Sequence, residues 1–188
     1  MLFMKRSQLI VAFLVAAGVV IQSAVTMAAP SENSAWGVDF GNMIYANTPC
    51  ETSPAKMHNG RYTYPGLVTS EGTDIDASIQ QVSQGQVGGA RLAVVVFHCA
   101  PPKGCYNEAR TYLIVDSKPV QVDGRLASLY DGCPDPINWI HVRFTPKFLF
   151  ADVHSQGDTW IVTTYRFANG KLVKAFTQRH KLHTPIRP

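Results

Sequence analysis

The sequence predicts an all-β fold, an antiparallel β-sandwich or barrel-like meander that is braced by disulfides and has at most a short helix. Short apolar runs rich in β-branched residues recur along the chain, and turns rich in glycine and proline separate them. Asn169-Gly170 lies between two such runs and is a strong signal for a two-residue hairpin. No long stretch after residue 28 has helical periodicity, so the pattern favours sheets packed on sheets.

Residues 1–28 have the pattern of a secretory signal peptide. Two basic residues precede an apolar run from Leu9 to Ile21, and small residues follow that run. The run is shorter than the roughly 20 apolar residues that a lasting membrane span needs. We therefore expect cleavage after Ala28, no stable membrane anchor, and a periplasmic or secreted mature chain. Residues 29–188 are predicted to form a single β-rich domain.

The mature chain is close to neutral. The leader holds two of the 17 basic residues and none of the 13 acidic ones, which leaves 15 against 13 and a net charge of +2. This small excess does not predict nucleic-acid binding, which normally needs a basic patch. The basic residues at about 179–188 are interpreted as a solvated C-terminal tail, because disorder concentrates at chain ends.

The cysteine count predicts two disulfides. An even number of cysteines in an exported chain indicates paired thiols, and four cysteines allow three pairings. We expect a Cys99–Cys105 bridge, because residues 100–104 form a turn sequence between two apolar runs, together with a Cys50–Cys133 bridge. No pair has the C-x2-C spacing of zinc ribbons, and the sequence predicts neither a metal site nor a cofactor.

The first half of the mature chain is expected to contain the central hairpin. Short strands are predicted within Trp36–Tyr45 and at Arg61–Tyr64. Thr73–Val82 fits both periodicities, and the neighbouring glycines favour a strand. Ala90–Cys99 is apolar on both faces, which is typical of a covered central strand, and it is expected to pair with Thr111–Asp116.

The second half is predicted to form an antiparallel meander. Asn138–Phe144 alternates between an apolar face and a polar one, as a strand with one wet side does. Phe148–Val153 and Thr159–Phe167 continue this pattern.

A type I′ turn at Asn169-Gly170 closes the predicted meander. Across this turn we expect Phe167 to pair with Leu172, and Thr163 with Phe176. In the preceding strand, Trp160 and Arg166 share one face. Tyr165 lies on the other face and is expected to pack between sheets.

The sequence contains no local catalytic signature. The motifs G-x-S-x-G, H-E-x-x-H, G-x-G-x-x-G and the P-loop are absent. The four glutamates lie in stretches that read as turns or termini; they are Glu32, Glu51, Glu71 and Glu108. Asp74 and Asp76 share a face if their segment is a strand, and with His141 they form the alternative hypothesis of a hydrolase or lyase with dispersed residues. An enzymatic role is therefore not the favoured one.

A binding role is favoured instead. The tip of the central hairpin combines two prolines with an expected cystine, and such preorganisation reduces the entropy lost on binding. Aromatic anchors beside it would suit an interface. The candidate contact residues are His98, Pro101, Pro102, Lys103, Tyr106 and Trp139.

The leading hypothesis is an exported, non-enzymatic protein that binds another envelope or secreted protein. Its sharpest form is an inhibitor or immunity-type protein of the bacterial envelope, which blocks a partner hydrolase with a rigid loop. The alternatives are the dispersed-residue hydrolase or lyase and a carrier of a small molecule or metal. The discriminating observation is whether the candidate residues surround a pocket or project from the fold.

Overall fold

The computed structural model describes residues 33–68, 72, 74–100, 105–122, 126–131, 140–155 and 159–181. These residues form antiparallel β-sheets, and the only helix within those ranges is a 3₁₀ turn at Phe40–Asn42. The predicted all-β fold is confirmed. In the same ranges no helix is long and apolar enough to cross a membrane. The predicted leader lies outside the described residues.

Fourteen strands are present in the described ranges. The N-terminal segment contributes four short ones, which are β1 (Ser34–Ala35), β2 (Val38–Asp39), β3 (Ile44–Tyr45) and β4 (Ala55–Lys56). The main sheet contains β5 (Arg61–Val68), β6 (Asp74–Val87), β7 (Ala90–Ala100), β8 (Cys105–Val115), β9 (Lys118–Gln121) and β10 (Ala127–Asp131). The second sheet contains β11 (Ile140–Phe144), β12 (Leu149–Ser155), β13 (Thr159–Ala168) and β14 (Lys171–Lys181).

The main sheet is built around the predicted central hairpin. Its strand order is β10-β8-β7-β6-β5, and β9 also pairs with β8. Leu92 lies opposite Leu113 and Cys99 opposite Tyr106, so β7 and β8 pair along most of their lengths. The second strand of the hairpin begins at Cys105, six residues earlier than Thr111, where the sequence analysis placed it. The segment that fits both periodicities is strand from Asp74 onward, within β6, as predicted.

The second sheet is the predicted meander, with strand order β11-β12-β13-β14. Asn169 and Gly170 both have positive φ, 53° and 74°, as a type I′ turn requires. Phe167 pairs with Leu172, as expected.

One expected pair in this hairpin is wrong. Thr163 lies opposite Thr177, while Phe176 lies opposite Thr164. The register shifts between Thr164 and Tyr165, so that Ala175 is an extra residue on β14. A β-bulge of this kind moves every later residue of the strand to the opposite face.

Strand β7 is buried on both faces, as its sequence predicts. Ala93, Val95 and Phe97 belong to a core cluster shared with the N-terminal segment, whose Phe40, Tyr45 and Met57 are buried there.

The other face of β7 belongs to a second cluster. Leu92, Val94 and Val96 pack in it together with Ile140 and Leu149 of the second sheet. The N-terminal segment and the second sheet therefore cover opposite faces of the main sheet. Tyr165 also packs in this cluster, as expected, and its hydroxyl donates to the carbonyl of Leu126 at 2.7 Å.

The cystine pairing differs from the expected one. Cys50 is bonded to Cys99, with a Cα–Cα distance of 5.2 Å, so neither the Cys99–Cys105 nor the Cys50–Cys133 bridge forms. Cys99 lies opposite Tyr106. Cys105 is the neighbour of Tyr106 on β8, so its position faces the other side of the sheet from Cys99 and is unsuited to a bridge with it. The face of β7 that carries Cys99 is the face that the N-terminal segment covers, which brings Cys50 to it.

The C-terminal strand extends into the segment that was interpreted as a tail. Arg179, His180 and Lys181 belong to β14 and pair with residues 159–161 of β13. Residues 182–188 lie outside the described part of the chain.

The new pairing predicts a second disulfide between Cys105 and Cys133, because these are the two remaining cysteines and the expected export would expose them to an oxidising compartment. Cys133 lies outside the described residues. Non-reducing peptide mapping of the purified protein should recover one peptide pair that joins Cys50 to Cys99 and another that joins Cys105 to Cys133. The Cys50–Cys99 bridge spans 49 residues, and its loss should lower the free energy of unfolding by about 4 kcal/mol. Recovery of a Cys99–Cys105 peptide would contradict the pairing.

The two sheets meet where β6 passes beneath β11. A Cβ added at Gly85 would lie 2.2 Å from Cγ of Phe144, far inside van der Waals contact. Gly85 therefore allows the Phe144 ring to lie against the backbone of β6.

Gly85→Ala should lower the free energy of unfolding by roughly 1–3 kcal/mol through overpacking. The direction of this change in stability is informative. At an open strand position, alanine normally stabilises the protein by about 0.5–1 kcal/mol relative to glycine. Gln86→Ala, at an exposed position on the same strand, is the matched control and should change little. Urea unfolding measures both variants. Unchanged or increased stability of Gly85→Ala would contradict this contact.

Candidate functional site

A polar cavity opens beside the end of the central hairpin. Its volume is about 570 Å³, which is within the range of small-molecule sites. The loop at residues 47–52 forms one wall, and residues of β8 and β9 form the other. The lining residues are Asn47, Thr48, Pro49, Cys50, Glu51, Thr52, Glu108, Arg110 and Gln121.

A buried ion pair forms the floor of the cavity. Glu108 and Arg110 are two positions apart on β8, so their side chains share a face. The Nε atom of Arg110 donates to Oε1 of Glu108 at 2.5 Å, and the two side chains are only 8% and 3% exposed. Each of these buried charges is stabilised by the other. Without its partner, either charge would lose its hydration with no favourable interaction to offset that cost.

Arg110 also joins β8 to the N-terminal segment. Its Nη1 atom donates to the carbonyl oxygen of Asn47 at 2.8 Å and to Oδ1 of the same residue at 2.6 Å. The guanidinium lies 5.5 Å from the centre of the Phe97 ring, which adds a cation–π contact. Three groups thus hold the guanidinium in one orientation.

Phenol groups border the ion pair on the core side. Burial raises the pKa of Tyr112, and the positive charge of Arg110 opposes this rise only in part. Burial likewise raises the pKa of Tyr45. Both side chains therefore stay neutral at physiological pH, and the ion pair adjoins a neutral wall.

The rim of the cavity is polar and bears a second acid. The hydroxyls of Thr48 and Tyr64 are hydrogen-bonded to each other, and the backbone N–H of Cys50 donates to Oγ1 of Thr48 at 3.3 Å. The backbone N–H of Thr52 donates to Glu51 at 2.7 Å, and this bond is the main cause that lowers the pKa of the Glu51 carboxyl.

Acidic groups outnumber basic ones among the described residues that line the cavity. Two carboxylates, Glu51 and Glu108, line it together with the guanidinium of Arg110. Because Arg110 is paired with Glu108, this excess of negative charge is concentrated at Glu51 on the rim. Cationic groups with hydrogen-bond donors fit this arrangement best.

The structure separates the two predicted contact residues that it describes. Tyr106 lies on the cavity side of β8, where its hydroxyl donates to Oε2 of Glu108 at 3.2 Å. His98 lies on the opposite face of the hairpin, where its Nδ1 atom is 3.0 Å from Oδ1 of Asn107. Both residues remain next to the hairpin tip. The other predicted contact residues lie outside the described part of the chain; they are Pro101, Pro102, Lys103 and Trp139.

The residues of the alternative catalytic hypothesis do not converge. Asp74 and Asp76 are exposed at the start of β6, and His141 is exposed on β11 of the other sheet. The contact between these strands involves Gly85, which lies about 30 Å along an extended strand from Asp76. The acid and base groups are therefore not gathered around one reacting position.

The charged floor of the cavity differs from the prediction. Glu108 is expected in a turn, whereas it is buried in β8. The alternation of Glu108, Arg110 and Tyr112 was the available signal, since it extends the strand toward Cys105. No sequence signal indicated the contact with Asn47, which is 63 residues from Arg110.

Comparison with protein-family models, with curated proteins and with solved structures gave no match to this chain. Among the described residues, no group of three or more histidines, cysteines or acids is placed to hold a metal ion.

The buried ion pair gives a stability prediction. Arg110→Met and Glu108→Gln should each lower the free energy of unfolding by about 3–5 kcal/mol. Each substitution removes one charge of the pair and leaves the other charge buried without its partner. The double variant should cost clearly less than the sum of the two. Urea unfolding under non-reducing conditions measures the double-mutant cycle.

Arg91→Met is the matched control for this cycle. Arg91 is exposed on β7 and lies 5.9 Å from the Trp36 ring, so its loss should cost less than about 1 kcal/mol. The coupling between Arg110 and Glu108 would be refuted if the losses of stability in the two single variants added up to that of the double variant. It would also be refuted if each single loss were as small as that of Arg91→Met.

Proposed function

We propose that this protein is an exported binding protein that recognises another protein through the end of its central hairpin. In its sharpest form the proposal is an inhibitor or immunity-type protein of the bacterial envelope. Residues 101–104, which connect β7 to β8 in sequence, and the cavity would together contact the active-site region of a partner hydrolase.

The observation that carries the proposal is the bracing of this end of the hairpin. The Cys50–Cys99 bridge joins the last paired residues of β7 to the loop that forms the cavity wall. Arg110 fixes the same loop from β8 through its two bonds to Asn47. A surface that is ordered before binding loses less conformational entropy when a partner docks.

The arrangement of charge supports a protein partner. Glu51 on the rim has no ion-pair partner within the described part of the chain. Its carboxylate and the polar lining favour a lysine or arginine side chain, which can enter a cavity of this size. Tyr106 lies at the same end and is of a residue type that is enriched at interface hot spots. The leader predicted for residues 1–28 supports a partner outside the cytosol.

Site-specific photo-crosslinking tests the proposal. A photo-reactive amino acid at position 103 should give one dominant crosslinked protein in envelope extracts, and the same residue at position 118 should not. Lys118 is exposed in β9 of the same sheet and is the matched control.

The identified partner then allows a quantitative test. Lys103→Glu and Glu51→Gln should each weaken its binding to this protein by about tenfold or more, as loss of a charged interface contact does, and binding should reduce the partner's hydrolase activity. No crosslink at position 103 together with unchanged hydrolase activity would overturn the proposal. Retention of a small molecule by the purified protein, lost in Glu51→Gln, would favour the carrier instead.

A further inference from the structure

Positive charge is segregated into the second sheet. Residues 29–139 contain 7 basic and 11 acidic residues, whereas residues 140–188 contain 8 basic and 2 acidic ones. The two parts therefore carry net charges of −4 and +6, although the mature chain as a whole carries only +2. Such asymmetry within one chain indicates a surface that meets an anionic partner.

The described strands of the second sheet concentrate this charge. They contain a single acid, Asp152, and six basic residues. All six basic side chains are exposed. The basic residues are Arg143, Arg166, Lys171, Lys174, Arg179 and Lys181. Four of the six belong to β14, the edge strand, which is about 35 Å long.

Two exposed apolar side chains share the outer face of the second sheet with Arg143, Arg166 and Lys171. The register places the other three basic residues, Lys174, Arg179 and Lys181, on the opposite face. Val173 is 39% exposed and Phe176 is 44% exposed, although both belong to a strand. The bulge at Ala175 brings them to the same face, since Val173 pairs with Arg166 and Phe176 pairs with Thr164. Without the bulge, one of the two would point to the other side of the sheet.

We infer that this outer face, defined by Arg143, Arg166, Lys171, Val173 and Phe176, binds reversibly to anionic phospholipid membranes. Basic side chains near a membrane are attracted by its negative surface potential. Apolar side chains between them can enter the boundary between headgroups and acyl chains. The surface lies on the second sheet, so it is independent of the hairpin end proposed to bind a protein.

The edge strand is protected against the addition of another strand. Lysines and β-bulges are devices that keep an edge from pairing, and β14 has Lys171, Lys174, Lys181 and the bulge at Ala175. A second copy of the chain would also present like charge to it. These features favour contact through side chains over pairing of backbones.

The aromatic groups do not form a stacking track for single-stranded nucleic acid. The guanidinium of Arg143 lies 4.3 Å from the centre of the Phe150 ring and covers it. Among the described residues of the second sheet, the most exposed large apolar groups are one valine and one phenylalanine, whereas stacking platforms present successive aromatic faces. A lipid headgroup layer fits this mixture of aliphatic, aromatic and basic side chains better.

Vesicle flotation of the mature protein tests the inference. Vesicles of phosphatidylcholine mixed with phosphatidylglycerol should bind the protein at low ionic strength and release it as salt is added, because screening weakens surface charge interactions. Vesicles of phosphatidylcholine alone should not bind it. Arg166→Glu/Lys171→Glu should weaken binding by at least about tenfold, and Phe176→Ser by about threefold or more.

Matched controls lie on the main sheet. Arg61→Glu/Lys118→Glu makes the same change in net charge at exposed positions, and Val120→Ser removes a valine that is 51% exposed on β9. Neither should alter binding to vesicles. Circular dichroism of every variant should match that of the unaltered protein, because the substituted side chains are exposed.

Three results would overturn the inference. The first is no binding to anionic vesicles at low salt, and the second is an equal loss in the control variants. The third is tighter binding to a single-stranded oligonucleotide or to polyglutamate than to vesicles, with the same dependence on Arg166 and Lys171. In any of these cases, a dominant crosslinked protein obtained with the photo-reactive residue at position 103 would still support the proposed protein-binding function.

Discussion

The burial of β7 on both faces is the constraint on which the rest of this structure depends. A strand whose side chains are apolar on both sides must be covered twice, since each exposed face would leave several large apolar groups in water. The N-terminal segment covers the side of Val95 and Phe97, and the second sheet covers the side of Val94 and Val96. The layered architecture follows from this requirement.

The same constraint positions the candidate site. Because the N-terminal segment must lie against one face of the main sheet, its loop at residues 47–52 comes to the end of β7 and β8. There Cys50 meets Cys99, and Asn47 meets Arg110. The cavity is the space left between this loop and the sheet. Its polar lining reflects the fact that the loop contributes backbone groups and short polar side chains, whereas the core contributes apolar ones.

Charge follows the division into layers. Residues 29–139, which include the N-terminal segment and the main sheet, carry the acidic excess in sequence, while the described strands of the second sheet carry exposed basic side chains. The bulge at Ala175 changes which side chains of β14 share a face of the second sheet. It decides that Val173 and Phe176 share a face, which an uninterrupted hairpin would separate.

The sequence by itself determined the fold class, the central hairpin, the meander and the type I′ turn, because these depend on alternation and on turn residues within short windows. It also identified His98 and Tyr106 as neighbours of the hairpin tip, although not that they lie on opposite faces. Only the tertiary structure decided the cystine pairing, the Glu108–Arg110–Asn47 network and the shifted register of β14. Each of these depends on which distant segments share a face. A one-residue change in register reverses that choice, and local sequence carries no record of it.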